Sequence, residues 1–167
     1  MSQNKTNKKF VYLISPNKIE DDNFYTNLSA VLKSKKISFF QLRLKKKTNQ
    51  NKLIIGKKIK NICKKYKVKF IVNDDPILAK KLNADGCHLG QKDMGLVKAR
   101  KILKNKIIGV TCHNSIKLAK KAIVSGADYL AFGAFYSTQT KRTKYKANLA
   151  VLKSAKKITS LPIVAIG

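Results

Sequence analysis

A parallel α/β fold is predicted for this 167-residue chain by three features of its sequence. Seven short runs rich in β-branched and aromatic residues recur along it: Phe10–Ser15, Phe39–Leu44, Lys69–Asn73, Gly86–Gly90, Ile107–Cys112, Tyr129–Gly133 and Pro162–Gly167. Amphipathic helical patterns fill most gaps, at about Asp22–Lys35, Asn49–Lys67, Pro76–Leu82, Met94–Lys104, Ser115–Ser125 and Asn148–Ile158. Cap residues and glycines fall where helices should start and stop. Strand followed by helix, repeated, implies a parallel sheet with right-handed crossovers. A barrel of the TIM type and an open doubly wound sheet both satisfy that pattern. No GxGxxG fingerprint follows the first strand, which weakens the dinucleotide-binding version of the open sheet. A (β/α)8 barrel needs one strand and one helix more than these runs supply. The expectation is therefore a single barrel domain over 1–167 that lacks its last strand and helix, a fragment with an unpaired edge against the first strand.

Taken in order, the second strand carries the first chemistry. Its run Gln41-Leu42-Arg43-Leu44-Lys45 alternates polar and apolar. Side chains alternate across a strand, so Gln41, Arg43 and Lys45 share one face, roughly 7 Å between successive members. In a barrel the leucine face meets the helices and the polar face points inward. A buried guanidinium without a counter-charge is costly, so an inward Arg43 calls for an anionic ligand or an acidic partner.

The stretch Lys69–Asp93 then reads as strand, acidic turn, helix, strand and polar turn. Asp75 followed by Pro76 is an N-cap with proline at the first helical position. Asn73-Asp74 ends the third strand and Gly90-Gln91-Lys92-Asp93 follows the fourth. In a parallel barrel the C-terminal strand ends share one face, where active sites sit. Asp74 and Asp93 converging there suit Mg²⁺, which takes oxygen ligands and keeps waters for a phosphate substrate. The helix-to-strand joins Asn83-Ala84-Asp85-Gly86 and Ser125-Gly126-Ala127-Asp128 resemble each other, and their aspartates are expected to hold turns on the opposite face.

Gly109-Val110-Thr111-Cys112-His113 closes the fifth strand, and Thr111 offers a hydroxyl to a ligand. His88 and His113 read as packed or structural residues. Asn114-Ser115 opens the fifth helix and Gly126 closes it. After the sixth strand, the loop Gly133–Lys141 brings Ser137, Thr138, Thr140 and Lys141, a set able to surround a phosphate with hydroxyls and a cation.

Composition narrows the function. Thirty-seven basic residues face eight acidic ones, for a net charge of +29. Only Arg43, Arg100 and Arg142 are arginines, and the lysines are spread along nearly every helix without interleaved aromatics. Specific base contacts lean on arginine and exposed aromatics, so no specific nucleic-acid site is expected, although the field attracts anionic metabolites. No apolar run is long enough to span a bilayer, and no signal-peptide core follows the basic N-terminus. Cys63, Cys87 and Cys112 form no CxxC pair, which fits reduced thiols in a cytoplasmic protein.

Six stretches taken together resemble the thiamine-phosphate synthase family: QLRLK (Gln41–Lys45), NDDP (Asn73–Pro76), ADGCHLGQKD (Ala84–Asp93), GVTCH (Gly109–His113), GADYLAFGAFYSTQTK (Gly126–Lys141) and PIVAIG (Pro162–Gly167). They run in family order from the first strand to the end of the chain. The resemblance implies a TIM barrel that joins a pyrimidine diphosphate to a thiazole phosphate and releases diphosphate. It implies that Gln41, Arg43, Lys45 and Asn73 bind the pyrimidine diphosphate, with Thr111 where the family usually has serine. Asp74 and Asp93 are then the Mg²⁺ ligands. Thr138 and Thr140 hold the thiazole phosphate, Lys141 the departing diphosphate, and Gly167 approaches the thiazole phosphate. Arg43, Lys45 and Lys141 are the catalytic cations in this reading. Diphosphate leaves first, and the thiazole nitrogen attacks the resulting pyrimidine-methyl cation, so no general base is needed. Ser137, standing where the family often has proline, and the absent eighth strand depart from the family pattern. Two rival expectations are a thiazole tautomerase of the same fold and a decayed barrel that binds anions or RNA.

Overall fold

The computed structural model describes residues 9–45, 47–136 and 145–167. Its elements are β1 (Val11–Ile14), α1 (Asn23–Lys33), β2 (Ile37–Leu42), α2 (Asn49–Lys65), β3 (Lys69–Asn73), α3 (Pro76–Lys81) and β4 (Gly86–Leu89). They continue as α4 (Leu96–Leu103), β5 (Ile107–His113), α5 (Ile116–Val124), β6 (Tyr129–Gly133), α6 (Leu149–Ile158) and β7 (Ile163–Ile166). Every expected element is present. The largest displacement is β2, which ends at Leu42 rather than at Leu44.

All seven strands pair in parallel in the order β1-β2-β3-β4-β5-β6-β7. That order settles the choice left open above. A doubly wound sheet reverses its strand order at a switch point, whereas a barrel adds each strand beside the last. The sheet curls into a nearly closed barrel: Tyr12 of β1 packs on Tyr129 of β6 with ring centroids 5.7 Å apart, and on Phe39 of β2 at 5.6 Å. Val164 of β7 joins this interior cluster.

Two apolar layers wrap the outside of the sheet. Phe40, Leu42, Phe70, Val72, Leu89 and Ile108 pack under α1 to α4, against Leu28, Leu32, Ile59 and Leu103. Val110, Cys112, Leu130 and Phe132 pack under α5 and α6 through Ala119, Ala122, Val151 and Ala155. Each large side chain buried there contributes about 1.5–3 kcal/mol. Leu42 and Leu44 lie in the first layer, as the alternation of β2 required. Cys63, Cys87 and Cys112 are buried free thiols. Burial pushes the Cys63 and Cys112 thiols up to about 12 and the Cys87 thiol higher still, so all three are protonated at neutral pH. Among the described residues no helix is long and apolar enough to cross a membrane.

Helix starts follow their caps. Thr48, Asp75, Ser115 and Asn148 each accept a hydrogen bond from the backbone N–H three residues on, the tightest being Leu78 N to Asp75 Oδ1 at 2.9 Å. The two aspartates of the lower joins are structural, as expected. Asp85 Oδ2 accepts from Phe70 N at 2.9 Å, and Asp128 Oδ2 accepts from Ile108 N at 2.7 Å. Each carboxylate thus ties the start of its own strand to the strand before it. Arg100 adds a bond to Asp128 at 2.7 Å and three to nearby carbonyls, of Lys104, Lys106 and Gly126.

Asp128→Ala deletes the acceptor for Ile108 N and leaves the Arg100 guanidinium only its carbonyl partners. The expected cost is about 1–3 kcal/mol of stability, read as a lower midpoint in urea unfolding with an unchanged slope. An unchanged midpoint would show that the join holds without its carboxylate.

Candidate active site at the barrel rim

The parallel order delivers the C-terminal ends of β2 to β6 to one rim, where Gln41, Arg43, Lys45, Asn73, Asp74 and Asp93 lie. Gln41, buried near the end of β2, donates through Nε2 to Asn73 Oδ1 at the end of β3. Its own Oε1 is buried without a partner among the described residues, an acceptor facing the barrel with its bond still to be made. Arg43 and Lys45 lie past the end of β2, so strand alternation no longer orients them. The backbone does so instead: Arg43 N donates to Ser15 Oγ at 2.8 Å, and Arg43 Nη1 donates to Asn17 Oδ1. Asn17 carries no charge, and among the described residues Arg43 has no carboxylate partner. The guanidinium stands ready for an anion.

Lys45 Nζ lies 3.6 Å from Asp74 Oδ2. Asp74 adopts a left-handed backbone (φ 65°), a conformation that Asp and Asn tolerate better than other side chains. Its N–H continues the sheet by donating to His88 O at 2.8 Å. Asp93, in the turn after β4, reaches the same place and accepts from Gly90 N at 2.7 Å. The Asp74 carboxyl is held above the usual carboxylate range, first by burial and then by a hydrogen bond to Asp93 and the charge of Asp93, with Lys45 pulling the other way. Two carboxyls this close disfavour double ionisation unless a cation joins them. A recess of about 180 Å³ opens beside them, between Lys45, Lys52, Asn73 and Asp74.

Below the rim the interior is polar in one column. Thr111 of β5 faces inward, its Oγ1 2.8 Å from His88 Nε2. His88 Nδ1 is 2.8 Å from the Tyr129 hydroxyl, which is 2.7 Å from the Tyr12 hydroxyl. Burial holds the His88 imidazole down at about 4, so it is neutral at pH 7. His88 is thus the packed strand residue expected, but it also supports a candidate ligand-binding hydroxyl. Sequence reading missed that link, together with Ser15 and Asn17, because each depends on register between strands distant in the chain. His113 stacks on Tyr145 with centroids 4.2 Å apart. Gly167 sits against the backbone of Phe135 and Tyr136, where a Cβ would collide with both N–H groups. Thr138, Thr140 and Lys141 lie outside the described residues, as does Ser137.

Donor chemistry at the rim fits a hard divalent cation. Among the described residues no cluster of three or more His, Cys, Asp or Glu gathers, but Mg²⁺ needs only one or two carboxylates and takes its remaining ligands from water and phosphate. The half-buried Asp74 carboxyl, held up by burial and by the neighbouring Asp93, is the group that asks for it.

Comparison with known proteins agrees with this geometry. Residues 11–167 match the family model described as thiamine monophosphate synthase. The chain is 82% identical over 167 residues to the thiamine-phosphate synthase of Pelagibacter ubique, covering all of this chain and 81% of that protein. It is 39% identical to the thiamine-phosphate synthase of Nitrosomonas eutropha, over 94% of this chain and 74% of that one. Among solved structures, a thiamine phosphate pyrophosphorylase from Pyrococcus furiosus superposes with a TM-score of 0.83 at 28% identity, covering 95% of this chain and 74% of that one. A truncated 3-deoxy-D-arabino-heptulosonate 7-phosphate synthase from Thermotoga maritima, at 16% identity and a TM-score of 0.66 over 92% of this chain and 62% of that one, shares the fold alone.

The Asp74 carboxyl sets a pH dependence in metal-free protein. Its folded value lies above its unfolded one, so its contribution to stability is full below pH 3.8 and is lost as pH rises through the raised value. Asp74→Asn keeps the left-handed backbone and removes the titration. In chelator its melting temperature should match wild type in acid and exceed it at pH 7. Equal melting temperatures across the range would show that the two carboxyls do not repel.

Proposed function

The chain belongs to the thiamine monophosphate synthase family, and on that premise we propose how its rim carries the reaction. The protein is a thiamine-phosphate synthase, a transferase of thiamine biosynthesis on a barrel of parallel strands. The residue roles, the metal and the substrate contacts are the proposal. Its single carrying observation is the convergence of Lys45, Asp74 and Asp93 at the end of β3, where Lys45 Nζ lies 3.6 Å from Asp74 Oδ2, and burial and Asp93 hold the Asp74 carboxyl up.

The pyrimidine diphosphate enters the rim with its diphosphate toward Arg43 and Lys45. Arg43 offers a planar fork of donors to phosphate oxygens. Lys45 exchanges its carboxylate, Asp74, for the same oxygens. Asp74 and Asp93 would hold Mg²⁺, which when bound supplies positive charge to the departing diphosphate. The buried Gln41 Oε1 and the Thr111 hydroxyl face the pyrimidine end, Asn73 holding Gln41 in place. As the carbon–oxygen bond to diphosphate breaks, negative charge grows on the leaving group, and fixed cations there lower the barrier because they need no rearrangement. The thiazole nitrogen then attacks the pyrimidine-methyl cation. Thr138, Thr140 and Lys141 are proposed for the thiazole phosphate and the departing diphosphate, with Gly167 bringing backbone close to the former. No residue has to take a proton. The retained carboxylates favour synthase over tautomerase.

Thiamine phosphate formation from the two substrates tests this reading. Arg43→Ala should lower kcat/KM by about 10²–10³-fold. Chelator should abolish turnover, and so should Asp93→Asn, which keeps an acceptor for Gly90 N but not the charge. The metal also has a readout without turnover: Mg²⁺ at about 100 times its Kd should stabilise wild type by about 2.7 kcal/mol and leave Asp93→Asn nearly unmoved. Turnover indifferent to chelator would overturn the metal assignment. Absence of product from folded protein supplied with Mg²⁺ would overturn the synthase reading.

A further inference from the structure

We propose that Tyr12, Tyr129 and His88 form a directed hydrogen-bond column that fixes the Thr111 hydroxyl as a donor to the pyrimidine diphosphate. The column crosses the barrel interior from β1 through β6 and β4 to β5, with spacings of 2.7, 2.8 and 2.8 Å. Tyr129 and His88 are buried. The proposal rests on the functional reading above in placing substrate beside Thr111; the direction of the column does not.

Direction follows from counting protons. A neutral imidazole donates through one nitrogen and accepts at the other. Two complete arrangements exist. In the first, Tyr12 donates to Tyr129, Tyr129 donates to His88 Nδ1, and His88 Nε2–H donates to Thr111 Oγ1. The Thr111 proton is then left over, pointing into the rim. In the second every bond reverses, and the proton left over belongs to Tyr12. Among the described residues the Tyr12 hydroxyl has one partner, Tyr129. Beyond it lies a cavity bordered by Phe10, Phe39, Ile107, Pro162 and Val164. The lining of that cavity is almost entirely apolar, and the one carboxylate on it, Asp128, is turned through Oδ2 to Ile108 N and Arg100. Reversal would therefore aim a part-buried O–H at an apolar lining, with no acceptor for it among the described residues, a cost that native interiors avoid. The first arrangement leaves no such proton.

Thr111 is thereby committed. Its oxygen is occupied by His88 Nε2–H, and its proton is left for an acceptor at the rim, an atom of the substrate when substrate is bound. A hydroxyl free to rotate could present either a lone pair or a proton; this one presents a proton. Tyr12, Tyr129 and His88 are positioning residues acting through Thr111. Gly109 belongs to the same device, since a Cβ there would lie inside the Tyr129 ring.

Two measurements test the column, one of them independent of turnover. In uniformly ¹⁵N-labelled protein, long-range ¹H–¹⁵N correlations of His88 should show Nε2 protonated and Nδ1 bare at pH 7. In Tyr129→Phe, which keeps the ring and loses the donor, the two tautomers should mix. The second measurement is a cycle in kcat/KM for the pyrimidine diphosphate. Thr111→Val should cost about ten- to hundredfold and Thr111→Ser little; Tyr129→Phe alone should cost about three- to tenfold. In the Thr111→Val background, Tyr129→Phe should cost nothing further. An Nδ1–H tautomer or an imidazolium at pH 7 would overturn the proposal. So would a Tyr129→Phe penalty that persists undiminished without the Thr111 hydroxyl. If wild type forms no thiamine phosphate, the functional reading fails, and the tautomer alone decides whether the column is directed.

Discussion

Parallel pairing between consecutive strands is the constraint on which the rest depends. Because each strand lies beside its sequence neighbour and runs the same way, the ends of β2, β3, β4 and β5 reach one rim. Arg43, Asp74, Asp93 and Thr111 are far apart in the chain and share no local motif. Register brings them together, and register is held at the opposite end by Asp85 and Asp128, whose carboxylates accept the backbone N–H groups of Phe70 and Ile108. Stability is concentrated at one end of the barrel and reactive groups at the other.

Charge is divided in the same way. Of the eight acidic residues, Asp85 and Asp128 accept backbone N–H groups below, Asp75 caps α3, and Asp74 and Asp93 converge above. With so few carboxylates, the numerous lysines cannot all be paired, and the molecule presents a positive field to anionic substrates. Arg43 differs from those lysines in being held by neutral partners, Ser15 and Asn17, so its charge is placed without being spent.

Much of this was legible from residue order. Alternation placed Gln41 inward and Leu42 and Leu44 among the helix contacts, and capping rules found Asp75 and Ser115. The repeated joins marked Asp85 and Asp128. For Arg43 and Lys45 residue order was not enough, because β2 stops at Leu42 and beyond it tertiary hydrogen bonds and an ion pair hold the side chains. The Tyr12–Tyr129–His88 column was illegible for a related reason. Each member is an unremarkable polar residue within its own strand, and only the curvature of the sheet brings the hydroxyls of Tyr12 on β1 and Tyr129 on β6 within 2.7 Å. The resemblance of six stretches to one family carried the function further than any of these local rules could.

The three buried thiols have a consequence for how the molecule breathes. Cys63 lies on α2, Cys87 on β4 and Cys112 on β5, all facing the layer between sheet and helices and all protonated. A thiolate is the reactive form, so alkylating reagents must wait for each site to open to water. Labelling rates at these positions therefore become clocks for partial unfolding. A peeling of α2 exposes Cys63 first, whereas Cys87 and Cys112 stay dark until the helices leave the barrel wall. The chain carries its own three-point record of whether it comes apart by layers or all at once.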